Sequence, residues 1–177
     1  DHYDALGWMS MSGQTYYLHG KDQNVYLTQM DADTLQAQLD ELYFLVIDSY
    51  DVSSLGKEKI KAIEKWVKNG GWLLIGTGER GKDTLGGFDS SFMEVSCKSV
   101  SKVGEENDAS KEMQQLGSYS GFTGIDFSQM PVAKLQRNNI NASKSEAYPG
   151  WVYACGDGAI GVCAISFGEK QMQKAST

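Results

Sequence analysis

Apolar positions follow two rhythms along this chain, and both are plainest in its middle third. Leu42–Ile47 (LYFLVI) is an unbroken apolar run of strand length, the pattern of a strand covered on both faces. Ile60, Ile63 and Val67, with Trp66 beside them, recur at three- and four-residue intervals. That spacing predicts a helix over Lys57–Lys68 with one buried stripe under a lysine-rich face. Gly56 suits its N-cap, Lys65 and Lys68 suit its negative end, and Asn69-Gly70-Gly71 supplies a left-handed stop. Trp72–Thr77 (WLLIGT) then resumes as a second apolar strand. Strand, helix and strand in this order form a βαβ unit, so the two strands run parallel through a right-handed crossover.

The flanks are read with the same two rules. Residues 4–18 carry Leu6, Met9, Tyr16 and Tyr17 at a loose helical spacing broken by Gly13, which predicts a helix. Asn24–Gln29 alternates apolar and polar and predicts a strand, and Asp31 or Asp33 is placed to cap a short helix running to Leu39. Beyond Gly78 the pattern loosens into a charged, glycine-rich stretch over 79–91. Phe92–Val100 alternates as a half-buried strand, 101–121 reads as a loop with a short helix at Ala109–Leu116, and Pro131–Leu135 is an edge strand. Trp151–Cys155 and Ala159–Ser166, joined by Gly-Asp-Gly, read as a hairpin.

Composition narrows the class. A chain of 177 residues with 41% hydrophobic residues and two prolines is most simply one globular domain, residues 1–177. Its net charge of −7, with no basic cluster, argues against nucleic acid as a partner. The apolar runs fall far short of the ~20 residues of a membrane span, and the chain opens on the polar DHYDALG rather than on a secretion signal. Cys97, Cys155 and Cys163 are odd in number and lack metal-ligand spacing, so neither a metal nor a disulfide is expected. A two-residue Asp157-Gly158 loop would pair Cys155 with Ile160 and Cys163 with Val152 on opposite faces. A three-residue loop would put both sulfurs on one face but roughly 13 Å apart, beyond disulfide reach.

Candidate chemistry is sparse. Gly76-x4-Gly81-Lys82 matches the first seven positions of a phosphate-binding P-loop, but Asp83 stands where a hydroxyl should meet magnesium, and Gly86-Gly87 argues against the helix that should follow. The same letters hold Gly76-x-Gly78-x-x-Gly81, a dinucleotide fingerprint that also wants that helix. No cofactor is expected, and the stretch reads as a surface loop leaving a strand. The two histidines, His2 and His19, offer no spacing for a Cys–His pair or a metal site. Ligands of open parallel sheets bind at the carboxyl ends of the strands. Asp48, Tyr50, Asp51, Thr77, Glu79 and Arg80 would share that rim, which makes them the candidate binding residues. In the blander reading, Asp and Ser there satisfy loop backbone and cap the next helix. Asn141-Ala142-Ser143 is a glycosylation triplet, meaningful only in a eukaryotic secretory route. Most of the tryptophans and tyrosines fall in expected strands and helices, as core rather than as a sugar-binding surface.

Residues 42–78, LYFLVIDSYDVSSLGKEKIKAIEKWVKNGGWLLIGTG, resemble the central βαβ of class I glutamine amidotransferase-like domains, especially the non-catalytic versions in surface proteins of Gram-positive bacteria. Residues 156–168, GDGAIGVCAISFG, are similar to that family's closing hairpin. The resemblance implies an α/β fold: a three-layer α-β-α, flavodoxin-like, mostly parallel sheet with a C-terminal β-hairpin, and the chain is expected to lack the first strand of such a fold or to begin just after it. Catalytic members carry Gly-x-Cys-x-Gly where this chain reads Gly76-Thr77-Gly78-Glu79-Arg80, so the amidotransferase reaction does not carry over. What is expected is a non-enzymatic binding, sensing or structural domain of a bacterial envelope protein. It would be extracellular, anchored by segments beyond this sequence, with sister domains or cell-wall glycan as partners. The alternative is a ligand-binding or hydrolytic domain, in a cytoplasmic setting or not, that uses the rim for a sugar or nucleotide.

Overall fold

The structure, a computed structural model, describes residues 5–10, 26–105, 111 and 124–174. Its framework is a seven-stranded sheet formed by β1 (Ala5–Ser10), β2 (Tyr26–Gln29), β3 (Phe44–Asp48), β4 (Trp72–Gly76), β7 (Ser143–Lys144), β8 (Gly150–Cys155) and β9 (Gly158–Cys163). The spatial order is β2-β1-β3-β4-β9-β8-β7. The first five are mutually parallel, while β8 and β7 run antiparallel at one edge. A separate two-stranded antiparallel sheet is made by β5 (Val95–Lys102) and β6 (Pro131–Arg137). The fold is mixed α/β with a mostly parallel sheet.

The expected βαβ unit is present. Helix α2 spans Lys57–Lys68, and β3 and β4 pair in parallel from Phe44 opposite Trp72 to Asp48 opposite Gly76. Ile60, Ile63, Trp66 and Val67 of α2 are buried against Leu45, Ile47, Leu73 and Ile75 of the two strands. Trp66 also donates its indole N–H to the Leu42 carbonyl at 3.2 Å, which ties the helix to the entry of β3. A side chain at Gly71 would collide with the Trp66 ring, so the stop after α2 needs glycine for space. Gly70 turns there with φ 116°.

Three expectations are corrected. Ala5–Ser10, within the stretch expected to be helical, is a strand, the second of the five parallel ones, flanked by β2 and β3. The chain therefore contains the first strand that it was expected to lack. The rest of that predicted helix and nearly all of the one at Ala109–Leu116 lie outside the described residues. Second, the loop after β4 does continue into a helix, α3 (Gly81–Gly86), preceded by a 3-10 turn over Gly78–Arg80. Third, the β8–β9 turn is Gly156-Asp157, with Cys155 opposite Gly158 and Cys163 opposite Gly150, a different register from either expected loop. Gly156 has φ 58°, and the Asp157 N–H donates to the Lys68 carbonyl at 2.9 Å. The turn thus occupies one of the carbonyls orphaned at the end of α2, and that docking fixes the register.

Strand β9 is more than a hairpin arm, because its other edge pairs in parallel with β4 from Trp72–Ala159 to Gly76–Cys163. Ile160 and Val162 enter the main core with α2 and the short helix α1 (Leu35–Gln38). Cys163, Ala164 and Ile165 join a second cluster with Met130, Val132 and Phe127, packed by Met172 of α4 (Lys170–Lys174). Cys155 packs on the first cluster and Cys163 belongs to the second, and none of the three cysteines is in a disulfide. The expected short helix after Asp31 is α1, and the Asp31 carboxylate accepts from Thr34 N and Oγ at 2.8 and 2.9 Å. These bonds hold the Asp31 carboxyl below its ordinary range.

Candidate functional site

Because β3, β4 and β9 are parallel neighbours, their carboxyl ends meet, and the loops that leave them build one rim. Asp48 ends β3 and is buried. Its carboxylate accepts from Ser166 Oγ at 2.8 Å, Phe167 N at 3.0 Å and Gly168 N at 3.1 Å. A buried carboxylate is tolerable only with such partners, and here they make it a clasp between β3 and the chain leaving β9. Gly76 lies beside Asp48 in the β3–β4 register, and any side chain there would strike the Asp48 carboxylate. Glycine at 76 is therefore the space that the clasp occupies.

Thr77 is fully buried and serves the same junction. Its hydroxyl donates to the Cys163 carbonyl at 2.6 Å, and its N–H lies 3.2 Å from that carbonyl and 3.0 Å from that of Ile165. The chain then bends sharply at Gly78, φ 57°, into the 3-10 turn and α3. A left-handed residue on a strand-to-helix bend is the backbone of a nucleophile elbow, and its apex here has no side chain. A Cβ at Gly78 would sit 3.1 Å from Ser166 N, so the apex rests on the β9 loop.

The remaining candidates divide. Glu79 is exposed at the mouth and Arg80 pairs with Asp83 at 3.3 Å. Asp83 thus answers an arginine at the position where a P-loop would place a magnesium-binding hydroxyl. Asp51 is spent locally, accepting from Ser53 N at 3.1 Å and Ser53 Oγ at 2.6 Å to cap the 3-10 turn over Val52–Leu55. Tyr50 packs against the main core. The rim thus unites Asp48, Thr77 and Glu79, whereas Tyr50, Asp51 and Arg80 serve their own loops. Ser49, between Asp48 and Tyr50, is the only non-glycine residue with positive φ among the described residues, at 51°. Its N–H donates to the Gly76 carbonyl at 2.8 Å, which fixes the exit of β3 to the end of β4.

Sequence reasoning missed the third loop of the rim, Ser166 to Glu169, which leaves β9. Burial, with the like charges of Asp48 and Glu79, raises the Glu169 carboxyl above its ordinary value. The available signal was the apolar run of β9 itself: a strand continuous enough to be covered on both faces is a candidate for the parallel sheet, and its exit loop then belongs to the rim.

Nucleophilic chemistry finds little support near the bend. Cys97 of β5 comes close, and a Cβ at Gly81 would lie 2.9 Å from its Sγ. Burial raises the Cys97 thiol, the opposite of activation, and its S–H donates to the Ser99 carbonyl at 3.4 Å. Both histidines lie outside the described residues. No group of three or more His, Cys, Asp or Glu able to hold a metal occurs among the described residues. Nor is any helix among them long and apolar enough to cross a membrane.

No family model matches the chain, and no curated protein matches it. Solved structures do resemble it in fold. An exo-β-1,4-mannosidase from Opitutaceae bacterium strain TAV5 aligns with a TM-score of 0.53 and 14% identity over 98% of this chain and 34% of the mannosidase. The cytoplasmic protein STM1381 from Salmonella typhimurium LT2 aligns with a TM-score of 0.59 and 13% identity over 97% of this chain and 95% of its own. A β-galactosidase from Rahnella sp. R3 aligns with a TM-score of 0.54 and 11% identity over 97% of this chain and 30% of the galactosidase. The chain thus spans about a third of each glycosidase and nearly all of the Salmonella protein. At these identities the likeness is one of fold.

Proposed function

We propose that the chain is a non-catalytic binding or structural domain, a three-layer α-β-α, flavodoxin-like member of the glutamine amidotransferase-like class whose elbow holds no nucleophile. The strand order β2-β1-β3-β4-β9 supports the fold, because it is the doubly wound order 2-1-3-4-5. One observation carries the functional reading: Gly78 stands at the apex of the elbow, packed on Ser166. The Asp48 clasp agrees with it, since a carboxylate bound to three donors of its own chain is poorly placed to abstract a proton. In this reading the domain belongs to a larger envelope protein outside the cell, with sister domains or cell-wall glycan as partners. The resemblance of residues 42–78 supports that placement.

A second reading, a rim that binds or hydrolyses a sugar or nucleotide, is favoured by Glu169, whose raised carboxyl beside Asp48 and Glu79 is the type of group that acid catalysis uses. One experiment separates the two. The protein is incubated with glutamine, aryl glycosides and ATP with magnesium, then with an acylating reagent followed by peptide mass spectrometry. The non-catalytic reading expects no product and no adduct on residues 76–80. Turnover that disappears in Glu169→Gln would replace it with the second reading.

A further inference from the structure

The cleft between α3 and β5 differs in electrical character from the rest of the chain. It has a volume of about 310 Å³ and is lined by Lys82, Leu85, Phe88, Met93, Val95 and Cys97, with Ser90, Ser96 and Asn138 at its polar side. That volume is at the low end for small-molecule sites, and an apolar floor with a few polar groups is their usual make-up. Leu85, Phe88, Met93 and Val95 are all buried and form the floor. The chain has 23 acidic residues against 16 basic, yet no carboxylate lines this cleft and one cation does.

That cation is unspent. Lys82 is exposed and forms no ion pair among the described residues, whereas its neighbours Arg80 and Asp83 answer each other. It lies close enough to act electrostatically on the Cys97 thiol on the opposite wall. The Ser96 hydroxyl is bonded to Asn138 Oδ1 at 3.0 Å, while the Asn138 amide nitrogen and the Ser90 hydroxyl carry no bond among the described residues. The exposed groups that make no side-chain bond within the described residues therefore include one positive charge and two neutral donors, above an apolar floor.

We infer that this cleft binds a small amphipathic monoanion, a carboxylate with a short aliphatic tail. The tail would rest on Leu85, Phe88, Met93 and Val95, and the carboxylate would meet Lys82 with Asn138 and Ser90. One lysine matches one negative charge, whereas a phosphate dianion would ask for more donors than the cleft provides. The inference rests on the reading of the chain as a binding domain and names one site and ligand class for it.

Cys97 supplies the readout. The intact protein is alkylated with iodoacetamide at pH 9 in the presence of hexanoate, hexan-1-ol or hexylamine, and the rate at each cysteine is followed by peptide mass spectrometry. Hexanoate is expected to slow modification of Cys97 roughly fivefold more than hexanol does, the effect of one charge-assisted contact. Hexylamine should not protect, and Cys155 should react alike throughout. In Lys82→Met, an exposed site whose change leaves the floor intact, hexanoate should lose its advantage over hexanol. Equal protection by hexanoate and hexanol, no protection at all, or an advantage that survives in Lys82→Met would overturn the assignment. Failure of the non-catalytic reading shows itself separately, as turnover in the rim assay.

Discussion

The loop that leaves β4 passes between two polar neighbourhoods with opposite fates. At the rim, Asp48 and Thr77 are buried, and their polar atoms meet backbone and hydroxyl groups of the β9 exit within 3.2 Å. Five residues past Thr77, Lys82 stands exposed over an apolar floor with no ionic partner among the described residues. At the rim, the Asp48 and Thr77 side chains join the ends of β3 and β4 to the chain that leaves β9. The cleft shows in sequence only through Lys82, the lysine of the incomplete P-loop match, and it leaves that charge exposed. A polar residue announces only that hydrogen bonds must be made, and the tertiary fold decides whether the chain itself makes them.

Substitutions can break this contrast, and the largest effect is expected at the joint. Asp48→Ala removes the acceptor of the Ser166 hydroxyl and the Phe167 N–H and leaves the Gly168 N–H only its 3.3 Å contact with Ser166 Oγ, so urea unfolding should show a loss of about 3 kcal/mol or more. A near-neutral result would mean that the clasp does not hold the sheet together. Tyr153→Phe should follow, because the Tyr153 hydroxyl donates to the Phe92 carbonyl at 2.7 Å and accepts from Glu94 N at 3.0 Å, behind the cleft. A loss of about 1–3 kcal/mol in the same assay is expected, with α3 and β5 loosened together in hydrogen exchange.

Glu169 tests the rim by pH. Its folded carboxyl is raised above the ordinary value of 4.5, chiefly by burial and then by Asp48 and Glu79. The folded protein therefore holds a proton that the unfolded chain has already lost, and this group makes stability fall as pH climbs from about 4.5 through the folded value. Glu169→Gln should unfold at higher urea than the parent at pH 7 and at the same urea at pH 3. A variant less stable at pH 7 would show that the charged carboxylate is wanted there. The smallest effect belongs to the cleft: Lys82→Ala should leave stability within ~0.5 kcal/mol, since an exposed cation without a partner contributes little.

How much of this was legible varied with the distance over which each residue finds its partners. Helix α2 was readable to the residue because Ile60, Ile63, Trp66 and Val67 write its period locally and Gly70-Gly71 ends it. β1 was misread because Leu6 and Met9 mimic a helical step within six residues, while its strand character comes from β2 and β3 on either side. β9 announced its hairpin through Gly156-Asp157, but its other partner, β4, lies over eighty positions earlier, and the only local trace of that pairing is the apolar run of β9 itself. Asp48 was legible as a carboxylate where the first strand of the βαβ unit gives way to its loop. That it is consumed depends on Ser166, 118 positions away, and no window along the chain spans that interval.

The placement of β9 also sets an order of events during synthesis. β4 emerges from the ribosome with one flank bare and stays so until the nascent chain has been extended past Cys163. Through that interval Leu73 and Ile75 sit on an unfinished edge able to recruit any extended strand nearby. Strand β9 is thus the keystone: chains cut short of it should aggregate rather than persist as smaller folded versions, and chains that carry it should fold slowly for their size.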